Sequence, residues 1–419
     1  MKVKRIARRI LLFAIGVVLI TTTAACAAPT PEVVQELVEV EVTRMVAGTP
    51  EIVVVTATPG PEPTPVPEEG PKVVKVGLVM ALTGDSAMWG WSNYAAAKLR
   101  AEEINAAQDE YEIQIIAEDD ASNCDQSVSG ALKLITEDKV DVLEGTVNSS
   151  CTLLIVPVTA EYKVPHLTTS VGTAITRQGS NYIFRIQTPI EWSTEQLVEY
   201  VVEDMGLTKI AVLYSNDEYG KSGAEGVKAA LERRGLEPAA YETYVTTDKD
   251  FTGQLSIVQQ AGADAVCHIG SIVAGALTVR QMRDLGMDQQ FLAPVGYGYA
   301  EFPELAGDAA NGTVFVEPFY PLLDDPNVKP FREAFVREYQ REPNTNAAMT
   351  YDSIGMIYEA VSQAGRVDRE VIREYLAGLT PEDPYTGVMG DIYFDEKGDP
   401  LVSMVKLMWQ DAEAVFLKR

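Results

Sequence analysis

Residues 72–91 read KVVKVGLVMALTGDSAMWGW, and the pattern of this stretch sets the fold. Residues 73–80 form a near-continuous apolar run of strand length, as in a β-strand buried on both faces. Thr83-Gly84-Asp85-Ser86 breaks the run with turn residues, and residues 92–104 follow with helical periodicity. The same unit then recurs. Strands are predicted at 113–117, 140–145 and 165–168, separated by helices at 126–137 and 150–162. A second series opens near Tyr182. Its strands fall at 210–214, 241–245, 265–269 and 291–294, with helices at 193–205, 221–234, 251–261 and 274–285. Alternating strands and helices with short connections build parallel sheets covered on both faces. The strands are too many for one open sheet and lack the eightfold repeat of a closed barrel. The expected fold class is α/β, with two doubly wound, Rossmann-like parallel-sheet lobes.

The last third breaks this rhythm. A strand at 313–319 precedes helices at 329–340, 346–364 and 369–379, then short strands at 386–389, 391–394 and 402–409. Long helices followed by late strands predict a chain that returns to both lobes.

The first residues point to export. Lys2, Lys4, Arg5, Arg8 and Arg9 precede an unbroken run of apolar residues and glycine at 10–20, shorter than the about 20 residues a membrane helix needs. Residues 1–25 are therefore expected to be a signal peptide. Thr23-Ala24-Ala25-Cys26 resembles a bacterial lipobox, which makes Cys26 the lipidation site. Residues 26–71 alternate valine with glutamate and then carry Pro59, Pro61, Pro63, Pro65, Pro67 and Pro71. Such composition buries too little apolar surface to offset chain entropy, so a flexible tether is expected, with strand pairing of the Val-Glu stretch as the alternative. The remaining residues, 72–419, suffice for two domains.

The net charge is −27 and no basic cluster follows the signal, which argues against nucleic acid as a partner. With two histidines, His166 and His268, and no Cys-x-x-Cys or His-x-x-x-His pair, no transition-metal site and no cofactor are expected.

In open α/β sheets, ligands bind beyond the carboxyl ends of strands, where helix N-termini present free N–H groups. Three such turns carry hydroxyls. They are Ala81 to Gly90 with Trp89, Gly145-Thr146-Val147-Asn148-Ser149-Ser150, and Thr168-Thr169-Ser170-Val171-Gly172-Thr173. Further text completes a pattern: Glu118-Asp119-Asp120-Ala121-Ser122, Val164-Pro165, Tyr219-Gly220, Asp250-Phe251-Thr252, Ala306 to Gly312, Tyr351-Asp352 and Phe394 to Asp399. Together these resemble the type I periplasmic solute-binding proteins of the leucine/isoleucine/valine and amide/urea branch of ABC importers. The resemblance covers essentially 72–410.

It implies two lobes, 72–189 with 319–385 and 190–318 with 386–419, joined by crossovers near 188–191, 316–320 and 383–388. It implies an extracytoplasmic monomer that closes on a small-molecule ligand and docks on ABC permease subunits, held to the membrane by the lipid on Cys26. Carried over by position, Trp89 flanks the ligand, Ser149, Ser170 and Thr173 hold its carboxylate, and Tyr219 caps it, with Ser150, Ser271 and Tyr297 completing the expected ligand residues. Relatives also carry a disulfide near Cys124 and Cys151. One departure concerns the ligand amine. The acid that pairs with it in amino-acid binders is replaced by Val295, and a neighbouring tyrosine by Ser271. Either Glu191, Asp217 or Glu301 substitutes, or the ligand has no ammonium, in which case Tyr297 and Tyr299 suit an aromatic or neutral polar ligand.

Two other functions compete. A receptor module signalling to a membrane partner would carry the same site. An enzyme is disfavoured: Gly220-Lys221-Ser222 lacks the first glycine of a phosphate loop. No Gly-x-Ser-x-Gly elbow occurs, and both histidines sit in apolar strands. Adjacent Asp119 and Asp120 point to opposite faces of their strand.

Overall fold

The computed structural model describes residues 38–46, 49–57, 70–400, 402 and 404–418. The signal segment and Cys26 lie outside these. Residues up to 69 and residues from 70 onward form two separate units. In the first, β1 (Val38–Val46) and β2 (Thr49–Ala57) pair antiparallel, Val38 opposite Ala57 and Val46 opposite Thr49. The Val-Glu stretch, expected as coil with strand pairing as the alternative, is thus paired from Val38 onward.

The second unit opens with β3 (Lys72–Met80), α1 (Ala87–Ala107), β4 (Tyr111–Asp119), α2 (Cys124–Thr136), β5 (Val142–Gly145), α3 (Ser149–Glu161), β6 (His166–Thr168) and β7 (Ile183–Arg185). The five strands form one sheet in the order β4-β3-β5-β6-β7, every pair parallel. Alternation along β3 explains its double burial. Val74, Val76 and Leu78 face one core with α1, while Val79 faces the other with Leu134 of α2 and Ile155 of α3.

The chain then crosses to a second lobe. It comprises α4 (Ile190–Glu199), β8 (Ile210–Ser215), α5 (Glu218–Glu232), β9 (Ala240–Tyr244), α6 (Thr252–Gln260), β10 (Ala265–Ile269), α7 (Ile272–Asp284), β11 (Gln290–Ala293), α8 (Glu301–Ala306) and β12 (Val314–Glu317). After β12 it returns through α9 (Val328–Tyr339), α10 (Thr345–Ala364), α11 (Arg369–Gly378), β13 (Tyr385–Gly387) and β14 (Gly390–Ile392). Finally β15 (Val405–Gln410) and β16 (Glu413–Lys418) extend the second sheet, whose order is β16-β15-β12-β11-β10-β8-β9. The last two strands join antiparallel.

Several expectations shift. The first helix begins at Ala87, so Trp89 lies in its first turn and not in the preceding loop. The strand near Tyr182 closes the first sheet instead of opening the second. The third crossover falls beyond Phe394, not at 383–388, because Tyr385, Val388, Met389, Ile392 and Phe394 pack into the first-lobe core. Buried Asp352 of α10 anchors that hairpin by accepting the N–H groups of Val388 (2.9 Å) and Met389 (2.8 Å). A Cβ on Gly387 would meet the same carboxylate at 2.2 Å. Helix α8 and strand β16 are short elements without a sequence signal of their own.

The first and third crossings are locked together by charge. Arg185, fully buried at the end of β7, pairs through Nε with Asp399 Oδ1 at 2.9 Å. Its Nη1 donates to Val171 O at 2.6 Å and its Nη2 to Thr176 Oγ1 at 2.9 Å. Gly398 has φ 82°, and its backbone oxygen accepts from Arg185 N at 2.8 Å. A Cβ there would stand 2.3 Å from Ile183 O, so only glycine admits the approach.

Buried Glu144 of β5 accepts Thr350 Oγ1 at 2.6 Å, while its Oε2 has no partner. Burial pushes its carboxyl up to about 8. The fold therefore holds a proton that the unfolded chain, titrating near 4.5, gives up. That contribution is complete below the unfolded value and is lost as pH rises through 8. Between pH 6.5 and 8.5, Glu144→Gln should lose about 2 kcal/mol less stability than the parent chain. Denaturant titration at the two pH values measures this, and equal losses would contradict it.

Candidate functional site

Both sheets reverse strand order at their first strand, between β3 and β5 and between β8 and β10. Helix N-termini gather beyond the carboxyl ends of strands at such a point. Here the two reversal points face one cavity of about 340 Å³ lined from both lobes, within the usual size for a small-molecule pocket.

On the first-lobe side, the N-terminus of α3 forms the wall with Asn148, Ser149 and Ser150. Asn148 does not cap the helix with its side chain. Instead its Oδ1 accepts Ser86 Oγ at 2.8 Å, and its buried Nδ2 has no partner. The first N–H groups of a helix have no acceptor within the helix, so this end presents donors to the cavity. Trp89 reaches over from α1, edge-on to Tyr299 at 6.4 Å, with its Nε1 buried and unpartnered. The disulfide Cys124–Cys151, with Cα atoms 4.5 Å apart, joins the starts of α2 and α3 and also lines the cavity. Asp119 and Asp120 hold the neighbouring turns. Asp119 accepts from Leu82, Thr83 and Ala121, and Asp120 from Ser122 and Ser127.

From the second lobe come Tyr219, whose hydroxyl donates to Val295 O at 2.9 Å, and Ser271, whose Oγ caps α7 at Ala274 N. Tyr244 also lines the cavity, 2% exposed and with its hydroxyl unpartnered. Gln187, on the first crossing, is 3% exposed and its Oε1 has no partner. Among the described residues, no lysine, arginine or histidine side chain lines the cavity.

Five of the eight expected ligand residues therefore meet at one cavity: Trp89, Ser149, Ser150, Tyr219 and Ser271. Three do not. Ser170 is buried behind the wall, donating to Thr146 O at 2.6 Å. Thr173 donates its N–H to Ser222 Oγ at 3.2 Å and its hydroxyl to Glu191 at 2.6 Å. Tyr297 is fully buried against His268, its hydroxyl 2.6 Å from Nδ1. Gln187, Tyr244, Asn148 and Asn346 were missed. Only Asn148 stood inside a flagged turn; the others come from the hinge, an edge strand and α10.

Both histidines lie inside strands. Burial pushes His166 down to about 4 and His268 down to about 3. Several hydrogen bonds join the lobes, among them Thr173 N to Ser222 Oγ, Glu218 N to Ser150 Oγ at 3.2 Å and Tyr299 OH to Asn346 Oδ1 at 2.8 Å. Gly220-Lys221-Ser222 thus supplies a closure contact through its serine.

Two Rossmann-like lobes over one cavity at their strand ends define a bilobal solute-binding protein. A profile of periplasmic binding proteins matches residues 73–411, and the chain belongs to that family. The leucine-, isoleucine-, valine-, threonine- and alanine-binding protein of Pseudomonas aeruginosa is 31% identical over 329 residues, 78% of this chain and 87% of that protein. The leucine-binding protein LivK of Thermotoga maritima superposes with a TM-score of 0.77 at 25% identity, covering 82% of this chain and 97% of that one. LivJ of Streptococcus pneumoniae, in complex with isoleucine, gives 0.76 at 25% identity over 83% of this chain and 100% of that one. The family comprises extracytoplasmic substrate-binding proteins of transporters.

The disulfide restrains the starts of α2 and α3, the second of which forms the cavity wall. Replacing both Cys124 and Cys151 by serine should cost about 2–4 kcal/mol, seen as a lower melting temperature. An unchanged melting temperature would show that the bridge restrains nothing.

Proposed function

We propose that this chain is an exported, lipid-anchored protein that captures a small polar solute by lobe closure and delivers it to an ABC-transporter permease. One observation carries the reading. Buried polar atoms from the first lobe, the crossing and the second lobe, namely Trp89 Nε1, Asn148 Nδ2, Gln187 Oε1 and Tyr244 OH, stand around one cavity without partners. An unmet buried polar group costs about 1–3 kcal/mol. A ligand that meets groups on both lobes at once rewards closure, and that is the physical basis of capture.

The relatives named above support an amino acid as solute, and the hydroxyl-bearing turns also suit a related carboxylate or amide. The basic and apolar leader, Cys26 and the segment to residue 71 support export, anchoring and a tether. Their order along the chain is that of a lipoprotein.

A thermal-shift screen of amino acids, aromatic acids, short amides, urea and dicarboxylates tests the role. A solute at 100 times its Kd should add about 2.7 kcal/mol. Trp89→Ala and Ser149→Ala should each weaken the selected solute by roughly tenfold or more. Unchanged affinity in both variants would place the site elsewhere. Mass spectrometry of the mature protein should find diacylglycerol on Cys26; a free or absent Cys26 would remove the anchor alone.

A further inference from the structure

The solute-binding reading leaves the ligand class open, and the inference drawn next rests on that reading. We propose that the ligand is a small monocarboxylate without an ammonium group. Its oxyanion sits at the N-terminus of α3 and its apolar body lies against Val171, Val295 and Tyr219.

The oxyanion end follows from the surplus of donors. Trp89 Nε1 and Asn148 Nδ2 are buried without acceptors beside the open start of α3. Tyr244 and Gln187, each at least nine-tenths buried with an unpartnered polar atom, show that the cavity is built around an occupant and is more than an uncovered helix end. Donors of this kind hold a carboxylate without a cation.

The missing ammonium follows from the acids. A desolvated ammonium needs a carboxylate partner. The turn after β11 offers Val295, which packs with Val171, Ile190 and Tyr219 in one apolar cluster across the cleft. Behind that turn, Glu317 is saturated. Its Oε1 accepts Gly296 N (2.8 Å), Tyr297 N (3.1 Å) and Gly298 N (3.0 Å), and its Oε2 accepts Thr345 Oγ1 (2.7 Å). Glu191 pairs with Arg177 at 3.6 Å and Glu301 with Arg341 at 3.5 Å. Asp217 lines the cavity but caps α5, its Oδ1 taking Gly220 N and Ser215 Oγ. Asp85 is exposed to solvent at the edge. Of the two described acids that line the cavity, Asp217 is thus engaged at the start of α5 and Asp85 is exposed.

Calorimetry on matched compounds tests this: leucine against 4-methylpentanoate and 4-methylpentanamide, and phenylalanine against 3-phenylpropanoate and 3-phenylpropanamide. At least one acid should bind tenfold or more tighter than its amino acid and its amide, and Asn148→Ala should lose at least tenfold for that acid. Tighter binding of an amino acid would overturn the proposal and point to Asp217 as the amine partner. An amide as tight as its acid would overturn it as well. Both of those outcomes leave the solute-binding role standing. Binding of none of the six compounds, with no hit in the wider screen, would remove the role together with the proposal.

Discussion

The guanidinium of Arg185 holds three separate pieces of chain that have to meet for the site to exist. It pairs with Asp399 on the third crossing, holds the carbonyl of Val171 in the cavity wall, and donates to Thr176 in the turn between them. Burial lowers its affinity for its proton, and the Asp399 carboxylate opposes that pull. Arg177 joins the same carboxylate and reaches Glu191 in the first turn of α4, so the cluster spans from one lobe to the other. Removing one member of such a buried pair leaves an uncompensated charge, at a cost of about 3–5 kcal/mol. This knot keeps the Val171 turn in place.

On that frame the cavity is an exercise in deferred hydrogen bonding. Most buried polar groups near it are satisfied by the chain: Ser170 by Thr146, Asp217 by Gly220 and Ser215, Glu317 by three backbone N–H groups. The exceptions concentrate where the two lobes face each other. The lobes are also joined by hydrogen bonds from Thr173 to Ser222, Glu218 to Ser150 and Tyr299 to Asn346, each worth about 1 kcal/mol net.

The sequence carried the fold well, because strands buried on both faces leave long apolar runs such as 73–80 that no surface element imitates. It carried the first-lobe wall for the same reason: residues 145–150 directly follow a strand, and their hydroxyls stand out in the pattern. It failed where the site is assembled from afar. Gln187 lies on a crossing, Asn346 near the start of α10 and Tyr244 on an edge strand, and none has a local signature. Ser170, Thr173 and Tyr297 were misplaced for the converse reason. Each stands in a turn beside the cavity, but a turn residue's side chain points either to the ligand or back into the fold, and spacing does not tell which. The third crossover slipped because the hairpin at 385–392 docks on Asp352, a carboxylate more than thirty residues upstream.

The central claim is that a solute meets the unpartnered donors as the lobes close. Of the four tryptophans, Trp192 Nε1 donates to Val402 O and Trp409 Nε1 to Tyr297 O, whereas Trp89 Nε1 waits for an acceptor in the cavity. Nitrogen-15 NMR of the indole N–H signals, with and without a solute that stabilises the protein, reads this out directly. The largest shift should be a downfield move of the Trp89 indole, lost with the solute and unaltered by a compound that does not bind. A solute that stabilises the protein while leaving the Trp89 indole in place would contradict the account.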